Sequence, residues 1–507
     1  MAVGTVLVTG GTGYIGSFTT LALLDHGYEV IIVDNLYNSS EVAVDRIELI
    51  SGKRPVFHNA DITDEKALDK IFAAHPAIDS VIHFAALKAV GESGIIPLEY
   101  YRVNVGGTIA LLNSMKRHDV TNIVFSSSAT VYGDAGRFKD MIPIPEHCPI
   151  GPTNTYGYTK ASVEQIITDY ITAQRQNAQK DEKPFEQFNG ANLRYFNPCG
   201  AHPSGLMGED PQGKPFNLLP ILGKVATMEN EELTILGEDY DSKDGTAIRD
   251  YIHVLDLASG HVAALNYLRD NKPGVKAWNL GSGRGSTVKT ILGAFSEVVF
   301  RHAVEMDSNP FEKDSSAVEK YKRPLDKDGK KRPYLVEVGK DGKPIRLLPY
   351  TVKDDKEGKR LPYVVEGRRQ GDVTDLTANP TLANEELGWK TQRTVEAACE
   401  DLWFWVKNNP KGYRREPKIG LLAELVELKK AELKEAELKE AEPEKIERKK
   451  AALEKAKAEL EKAKVEREPA MVKNVELKKA ELEEATAELE EVRSALEELK
   501  KAELSEE

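Results

Sequence analysis

Short apolar runs recur through the first third of the chain, at Val6-Leu7-Val8, Ile31-Ile32-Val33, Val81-Ile82-His83-Phe84 and Ile123-Val124-Phe125. Between them lie stretches of about 25 to 45 residues that contain helical patterns. Unbroken β-branched runs separated by helices predict parallel strands covered on both faces. The expected fold class is α/β, with a doubly wound parallel sheet over residues 1–191 that binds ligands at the carboxyl ends of its strands. From 192 to 417 the pattern is more mixed and rich in Gly and Pro turns. That region is expected to be mainly a smaller substrate-capping domain, with segments returning to the sheet.

Two stretches break this picture. Residues 301–362 are charged and studded with Asp328-Gly329, Asp341-Gly342 and Glu357-Gly358. A short unit recurs there as Pro333-Tyr334-Leu335-Val336, Pro349-Tyr350-Thr351-Val352 and Pro362-Tyr363-Val364-Val365. Apolar strands joined by such turns predict a small β-meander, inserted and exposed. From 418 to 507 the chain is almost wholly Ala, Glu, Lys and Leu, and Pro443 and Pro469 divide it into three helical stretches. In the last, Val475, Leu482, Leu489 and Leu496 recur every seventh residue as a coiled-coil seam. The earlier stretches repeat every five residues and drift around the helix, so the tail reads as a charged helical spacer.

Composition narrows the class. At roughly 150 residues per domain, 507 residues predict two to four domains. The net charge is -13, and the Glu-rich tail inflates it; no basic face for nucleic acid is apparent. Cys148, Cys199 and Cys399 stand far apart without metal-type spacing, as reduced thiols of a cytoplasmic protein do. No charged leader precedes the first strand, and no segment reaches the roughly 20 apolar residues that cross a membrane.

The first strand, Thr5 to Thr9, runs into Gly10-Gly11-Thr12-Gly13-Tyr14-Ile15-Gly16 and then a helix. Gly10 allows the tight turn, Gly13 lets the backbone approach a pyrophosphate, and Gly16 permits close helix–sheet contact. Asp34 ends the second strand 18 residues past Gly16, placed to bind ribose hydroxyls and to disfavour a 2′-phosphate, so the cofactor is expected to be NAD. Asp61-Ile62, after the third strand region, is placed to edge the adenine. Further on, Tyr156 and Lys160 lie four residues apart, on one face of a helix. A neighbouring ammonium, together with a cationic nicotinamide, favours the phenolate and moves a phenol of pKa near 10 toward useful range. Ser126-Ser127-Ser128 ends its strand nearby, where a hydroxyl can hold a substrate oxygen. Tyr158 is the rival phenol, but it lacks a Lys four residues on.

Together these residues resemble the extended short-chain dehydrogenase/reductase superfamily, with its NAD-binding Rossmann fold, and within it the UDP-glucose 4-epimerases. The likeness is closest to the epimerase half of the fungal bifunctional epimerase/mutarotases. It rests on the glycine loop, Asp34 to Ser39, Phe84 to Ser93, Ser126 to Gly133, Tyr156 to Lys160 and Leu193 to Pro198. It continues through Gly205 to Asp210, Arg249 to His253, Trp278 to Gly283 and Arg368 to Asp372. The resemblance spans about residues 3–300 and 363–415.

It implies that Tyr156 is the acid and base at the sugar O4, with Lys160 its electrostatic partner and Ser128 the hydrogen-bonding helper. It implies that NAD is held by Gly10, Gly13, Tyr14, Ile15, Gly16, Asp34, Asn35, Asn38, Ser39, Asp61, Ile62, Phe84, Ala85, Lys88, Asn104, Tyr156, Lys160 and Tyr195. The UDP-sugar, UDP-galactose or UDP-glucose, falls to Lys88, Ser128, Asn197, Asn217, Leu218, Arg249, Arg369, Asp372 and Leu376. A homodimer is also implied, through helices near Pro97 to His118 and Tyr156 to Arg175.

The chain departs from the family in places. Ala86 stands where Gly is usual, the 301–362 stretch exceeds the family's linker, and a helical tail replaces the mutarotase half, so no mutarotase activity is expected. Leu376 occupies a gate where a Tyr excludes N-acetylated sugars and a smaller residue admits them. A nucleotide-sugar 4,6-dehydratase would need an Asp–Glu pair where Ala129 and Thr130 stand. An epimerase for another UDP-sugar, and a non-catalytic NAD-binding scaffold, remain open alternatives.

Overall fold

The computed structural model describes residues 3–182, 188–213, 215–227, 229–301, 304–306, 321–322, 334–338, 344–352, 360–369, 371–414, 417, 419–439, 441 and 443–464. Strands β1 (Thr5–Thr9), β2 (Glu29–Asp34), β3 (Val56–Asn59), β4 (Ile78–His83), β5 (Asn122–Ser128) and β6 (Asn189–Tyr195) form one parallel sheet. Intervening helices are α1 (Tyr14–Asp25), α2 (Val42–Ser51), α3 (Glu65–Ala74), α4 (Val90–Ser93), α5 (Pro97–Tyr100), α6 (Gly107–Arg117) and α7 (Thr155–Lys180). A single turn of wider helix, Tyr101–Gly106, joins α5 to α6.

Beyond β6 come β7 (Asn197–Cys199), α8 (Leu218–Ala226), β8 (Leu233–Leu236), β9 (Ile248–His253), α9 (Val254–Asn271), β10 (Val275–Leu280), β11 (Gly285–Thr287) and α10 (Val288–Phe300). Strand β10 adds to β6, so the sheet has seven strands in the order β10-β6-β5-β4-β1-β2-β3. The order reverses between β1 and β4, the switch point at which such sheets bind ligands in a crevice at the strands' carboxyl ends. The inner strands carry no polar alternation because both faces are covered: Val6, Leu7, Val8, Ile32, Val81, Ile82, Ile123 and Val124 are buried.

The charged insertion contributes β12 (Val304–Met306), β13 (Tyr321–Lys322), β14 (Tyr334–Val338) and β15 (Pro344–Val352). Strand β14 pairs antiparallel with β13 and β15, as a meander does, whereas β12 joins β15 in parallel. Its Asp-Gly positions lie outside the described residues. The third repeat unit departs from the meander reading, because β16 (Tyr363–Glu366) pairs instead with β8. The reason is local: Leu361 is buried, and its N–H donates to Ser296 Oγ at 2.9 Å, tying the returning chain to the end of α10. The insertion thus leaves and re-enters at one place, and β17 (Asp375–Leu376) then joins β9.

After α11 (Thr381–Glu386) and α12 (Val395–Asn408) come two tail helices, α13 (Ile419–Leu438) and α14 (443–464). The spacer expectation fails for them. Leu421, Leu422, Leu425, Val426, Leu453, Ala456 and Ala463 are buried in the same core cluster as Val44, Ile47 and Ile50 of α2. Ala452 approaches so closely that a Cβ on Gly52 would lie 2.9 Å from its Cα. Two solvent-facing spacer helices would bury none of these. The heptad seam from Val475 to Leu496 lies outside the described residues.

Candidate active site

The crevice begins at the glycine loop. Gly10 has φ +69°, and its N–H donates to Val33 O at 2.7 Å. A Cβ there would meet Ala85 N at 2.7 Å, and one on Gly16 would meet Gly10 O at 2.1 Å. Both glycines are therefore required by the protein's own packing. Gly13 differs: a Cβ there would touch only Gly10 O, at 3.2 Å, and otherwise face open space. Gly13 also caps α1 without any side-chain hydrogen bond, leaving amide donors of the first turn for an anion. Tyr14 turns away to donate to Gly200 O at 2.7 Å, and Ile15 packs on the core.

Asp34 closes the loop from the end of β2. Its carboxylate accepts from Thr12 N (3.2 Å), Leu36 N (2.9 Å) and Ser39 Oγ (3.0 Å). A carboxylate has about four acceptor positions, so capacity remains for a ribose hydroxyl. Asn35 donates to Asp61 Oδ2 at 2.9 Å, and Thr63 gives Asp61 Oδ1 two more hydrogen bonds. Burial works to raise the Asp61 carboxyl, but those bonds outweigh it and hold it below the usual range. Ile62 is buried below Gly107. Asn38 is engaged elsewhere, accepting from Gln212 N at 2.9 Å. Anion donors, an acidic strand end and a cradle with space at Gly13 together fit a dinucleotide.

Across the crevice, α7 is capped by Asn154, whose side chain accepts from Gly157 N at 2.9 Å, and presents Tyr156 and Lys160. Lys160 Nζ donates to Ser126 O at 2.6 Å and sits 5.8 Å from the Tyr156 ring centre. The Ser128 hydroxyl accepts from Thr130 N and Oγ1 and lies near enough to the Tyr156 phenol to act on its acidity. Tyr195 meets Ser126 through their hydroxyls. Asn104 spends its amide on Leu87 and on Thr159 Oγ1, so it braces the loop before Lys88 against α7. Phe84 and Ala85 follow β4 directly, opposite Gly10. The rival Tyr158 is 49 % exposed and points outward.

In the protein by itself, burial governs both Tyr156 and Lys160. Burial pushes the Tyr156 phenol up to about 12, with the Ser128 hydrogen bond opposing, and brings Lys160 down to about 7 against the pull of Glu164. In the bare protein the lysine therefore does not make the phenol acidic, because desolvation dominates both groups.

On the far wall, Arg249 of β9 and Arg369 both reach Asp372 Oδ1, at 2.5 and 3.2 Å. Lys88 and Asn217 both donate to Glu209 Oε1 at 3.2 Å. Asn197 opens β7, Leu218 opens α8, and Leu376 lies partly buried in β17 in register with Arg249. The residue reading missed Glu209 and the pair Arg368–Tyr240, in which the guanidinium lies 4.0 Å over the ring. Glu209 and Arg368 lie in stretches that carry the family resemblance, but their contacts with Lys88 and Tyr240, each more than a hundred residues away, are not marked locally.

Residues 6–281 match the model of the NAD dependent epimerase/dehydratase family. The chain belongs to that family. It is 48% identical over 411 residues to the bifunctional protein GAL10 of Pachysolen tannophilus, covering 81% of this chain and 50% of that protein. It thus spans about half the length of such bifunctional relatives. It is also 48% identical to the UDP-glucose 4-epimerase uge1 of Schizosaccharomyces pombe, covering 81% of this chain and 96% of that one. Among solved structures, a UDP-glucose 4-epimerase from Bifidobacterium longum in complex with NAD+ and UDP superposes with TM-score 0.64 at 39% identity. It covers 80% of this chain and 99% of its own. As a family member the chain carries its glycine loop, Tyr156 and Lys160 in the expected order, within or beside one crevice.

Proposed function

We propose that this chain interconverts UDP-galactose and UDP-glucose through a 4-keto sugar, retaining NAD throughout. What supports the reading is Tyr156 and Lys160 on α7 beside the β5 strand end, together with two arginines braced by Asp372, the two segments being tied where Thr153 Oγ1 donates to Gly371 O at 3.3 Å. One group handles a sugar hydroxyl, and the other suits a diphosphate.

Gly10, Gly13, Gly16, Asp34, Asn35, Asp61, Lys88 and Lys160 would hold NAD, which when bound supplies a reversible hydride acceptor and a positive charge. Tyr156, as phenolate, takes the proton of the 4-hydroxyl and later returns it to the same oxygen. Ser128 holds that oxygen in line, and Lys160 steadies the phenolate. Arg249 and Arg369 grip the diphosphate, with Asp372 fixing both guanidinium groups, so the hexose can turn while its anchor stays put. Lys88 and Asn217 exchange their Glu209 contact for the ligands on binding.

An exposed apolar face supports a homodimer: Ile95, Leu98, Tyr101, Ile109 and Tyr158 are each 40 % exposed or more. No helix among the described residues is long and apolar enough to cross a membrane. Buried thiols at Cys148, Cys199 and Cys399 support a cytoplasmic setting. The test is incubation with UDP-galactose without added NAD, following UDP-glucose by chromatography. Product is expected; its absence even with NAD added would refute the reading, and product only on NAD addition would point to Ala86.

A further inference from the structure

Glu164 is buried on the same face of α7 as Lys160, one helical turn further on, and nothing in the proposed chemistry uses it. Its carboxylate is gripped by Arg194 of β6, with Nε to Oε1 at 2.9 Å and Nη2 to Oε2 at 2.6 Å, and it also accepts from Ser127 Oγ. Ser127 is the middle of the strand-end triplet. Its neighbours flank the candidate active site, Ser126 through the carbonyl that receives Lys160 and Ser128 through the hydroxyl that lowers the Tyr156 phenol. Arg194 is held in turn by Tyr132 OH at 3.0 Å and Glu146 O at 3.0 Å.

We infer that Glu164 is a positioning residue, which seats helix α7 on the strand-end serines and supplies Lys160 with a counter-charge that is in place before Tyr156 ionises. The inference rests on the epimerase reading above.

In the bare protein Glu164 is the one negative charge among the described residues that bears on Lys160. In that state Tyr156 on α7 and Tyr195 on β6 are phenols that burial keeps protonated. His83, across on β4, is held down to about 3, by burial first and then by Lys160, and is therefore neutral. Strand β5 offers only the Phe125 ring, 4.8 Å away, and the Ser126 carbonyl. Arg194 is a cation that offsets the charge of the Glu164 carboxylate it grips. Burial already pulls the lysine toward neutrality, and Glu164 is the group that opposes it.

Two substitutions break the same buried ion pair but move Lys160 in opposite directions. Glu164→Gln keeps the shape and the oxygen facing Ser127 while removing the charge. The alkaline limb of the kcat–pH profile, where Lys160 loses its proton, is expected to fall by roughly one pH unit or more. Arg194→Gln removes the cation that offsets Glu164 and leaves the carboxylate's charge to Lys160, so the limb moves up. The experiment measures UDP-galactose turnover from pH 6 to 10 for the full chain and both variants, with NAD content and melting temperature beside it. A merely structural ion pair would lower the melting temperature of both variants and leave both profiles where they are, which overturns the inference. If one variant does not fold, the sign of the other decides. An inactive parent chain would overturn the functional reading and this inference with it, whereas an active parent with superimposable profiles overturns this inference alone.

Discussion

Adding one methyl group at each of two glycines separates packing from ligand binding. At Gly16 the new Cβ would lie 2.1 Å from Gly10 O and 2.9 Å from Gly11 Cα. Ordinary contact needs about a further ångström, so α1 must back away from the loop, at an overpacking cost of about 1–3 kcal/mol. That cost falls on the bare protein. At Gly13 the backbone already has φ −69° and ψ 171°, which alanine adopts freely, and the only close atom is Gly10 O at 3.2 Å. Gly13→Ala should therefore leave the melting temperature of the cofactor-free protein within about 2 °C of the parent. The methyl instead occupies the space where a pyrophosphate would lie against the helix terminus. A similar cost of about 1–3 kcal/mol then appears in binding, as roughly 5- to 150-fold weaker NAD retention. The assay pairs thermal unfolding of stripped protein with NAD content after gel filtration. Gly16→Ala should lower both, and Gly13→Ala only the second. If Gly13→Ala retains NAD normally, the cradle does not face the cofactor and the reasoning is wrong.

Tyr156→Phe should lower turnover by about 10²-fold or more while NAD content stays at the parent level; near-parental turnover would remove the phenol from its role. Leu425→Ala tests the docked tail: Leu425 is fully buried, so urea unfolding should show a loss of about 2–5 kcal/mol, against almost none if the tail were a spacer. Leu376, partly buried in β17, predicts some turnover of UDP-N-acetylgalactosamine that Leu376→Tyr abolishes without loss on UDP-galactose. No turnover of the N-acetylated sugar beside an active control would discard that gate.

Much of this architecture is legible in the sequence because it is local. The strand-turn-helix around Gly10 to Gly16, the acid at the end of β2 and the Tyr156–Lys160 spacing each depend on a few adjacent residues. The Glu164–Arg194–Tyr132 network is not legible, since it links α7, β6 and the turn after β5 across at least 30 residues. The tail shows a subtler failure. Its repeat of Lys, Ala, Glu and Leu drifts round the helix, but Leu421, Leu422, Leu425 and Val426, just ahead of the repeat, form one stripe. In α14 the buried positions include Ala452, Ala456 and Ala463, residues that read as helix formers and act here as close contacts. The phenol–lysine pair is legible in part: its proximity is readable from the four-residue spacing, whereas the burial of both groups depends on distant elements.

The central claim is that the hydrogen taken from C4 is stored in the site and returned to C4, with Tyr156 moving only the hydroxyl proton. It is tested most directly with UDP-galactose deuterated at C4, converted in ordinary water. UDP-glucose that keeps its deuterium at C4 is the predicted result. Product that has exchanged the label with solvent would contradict the account.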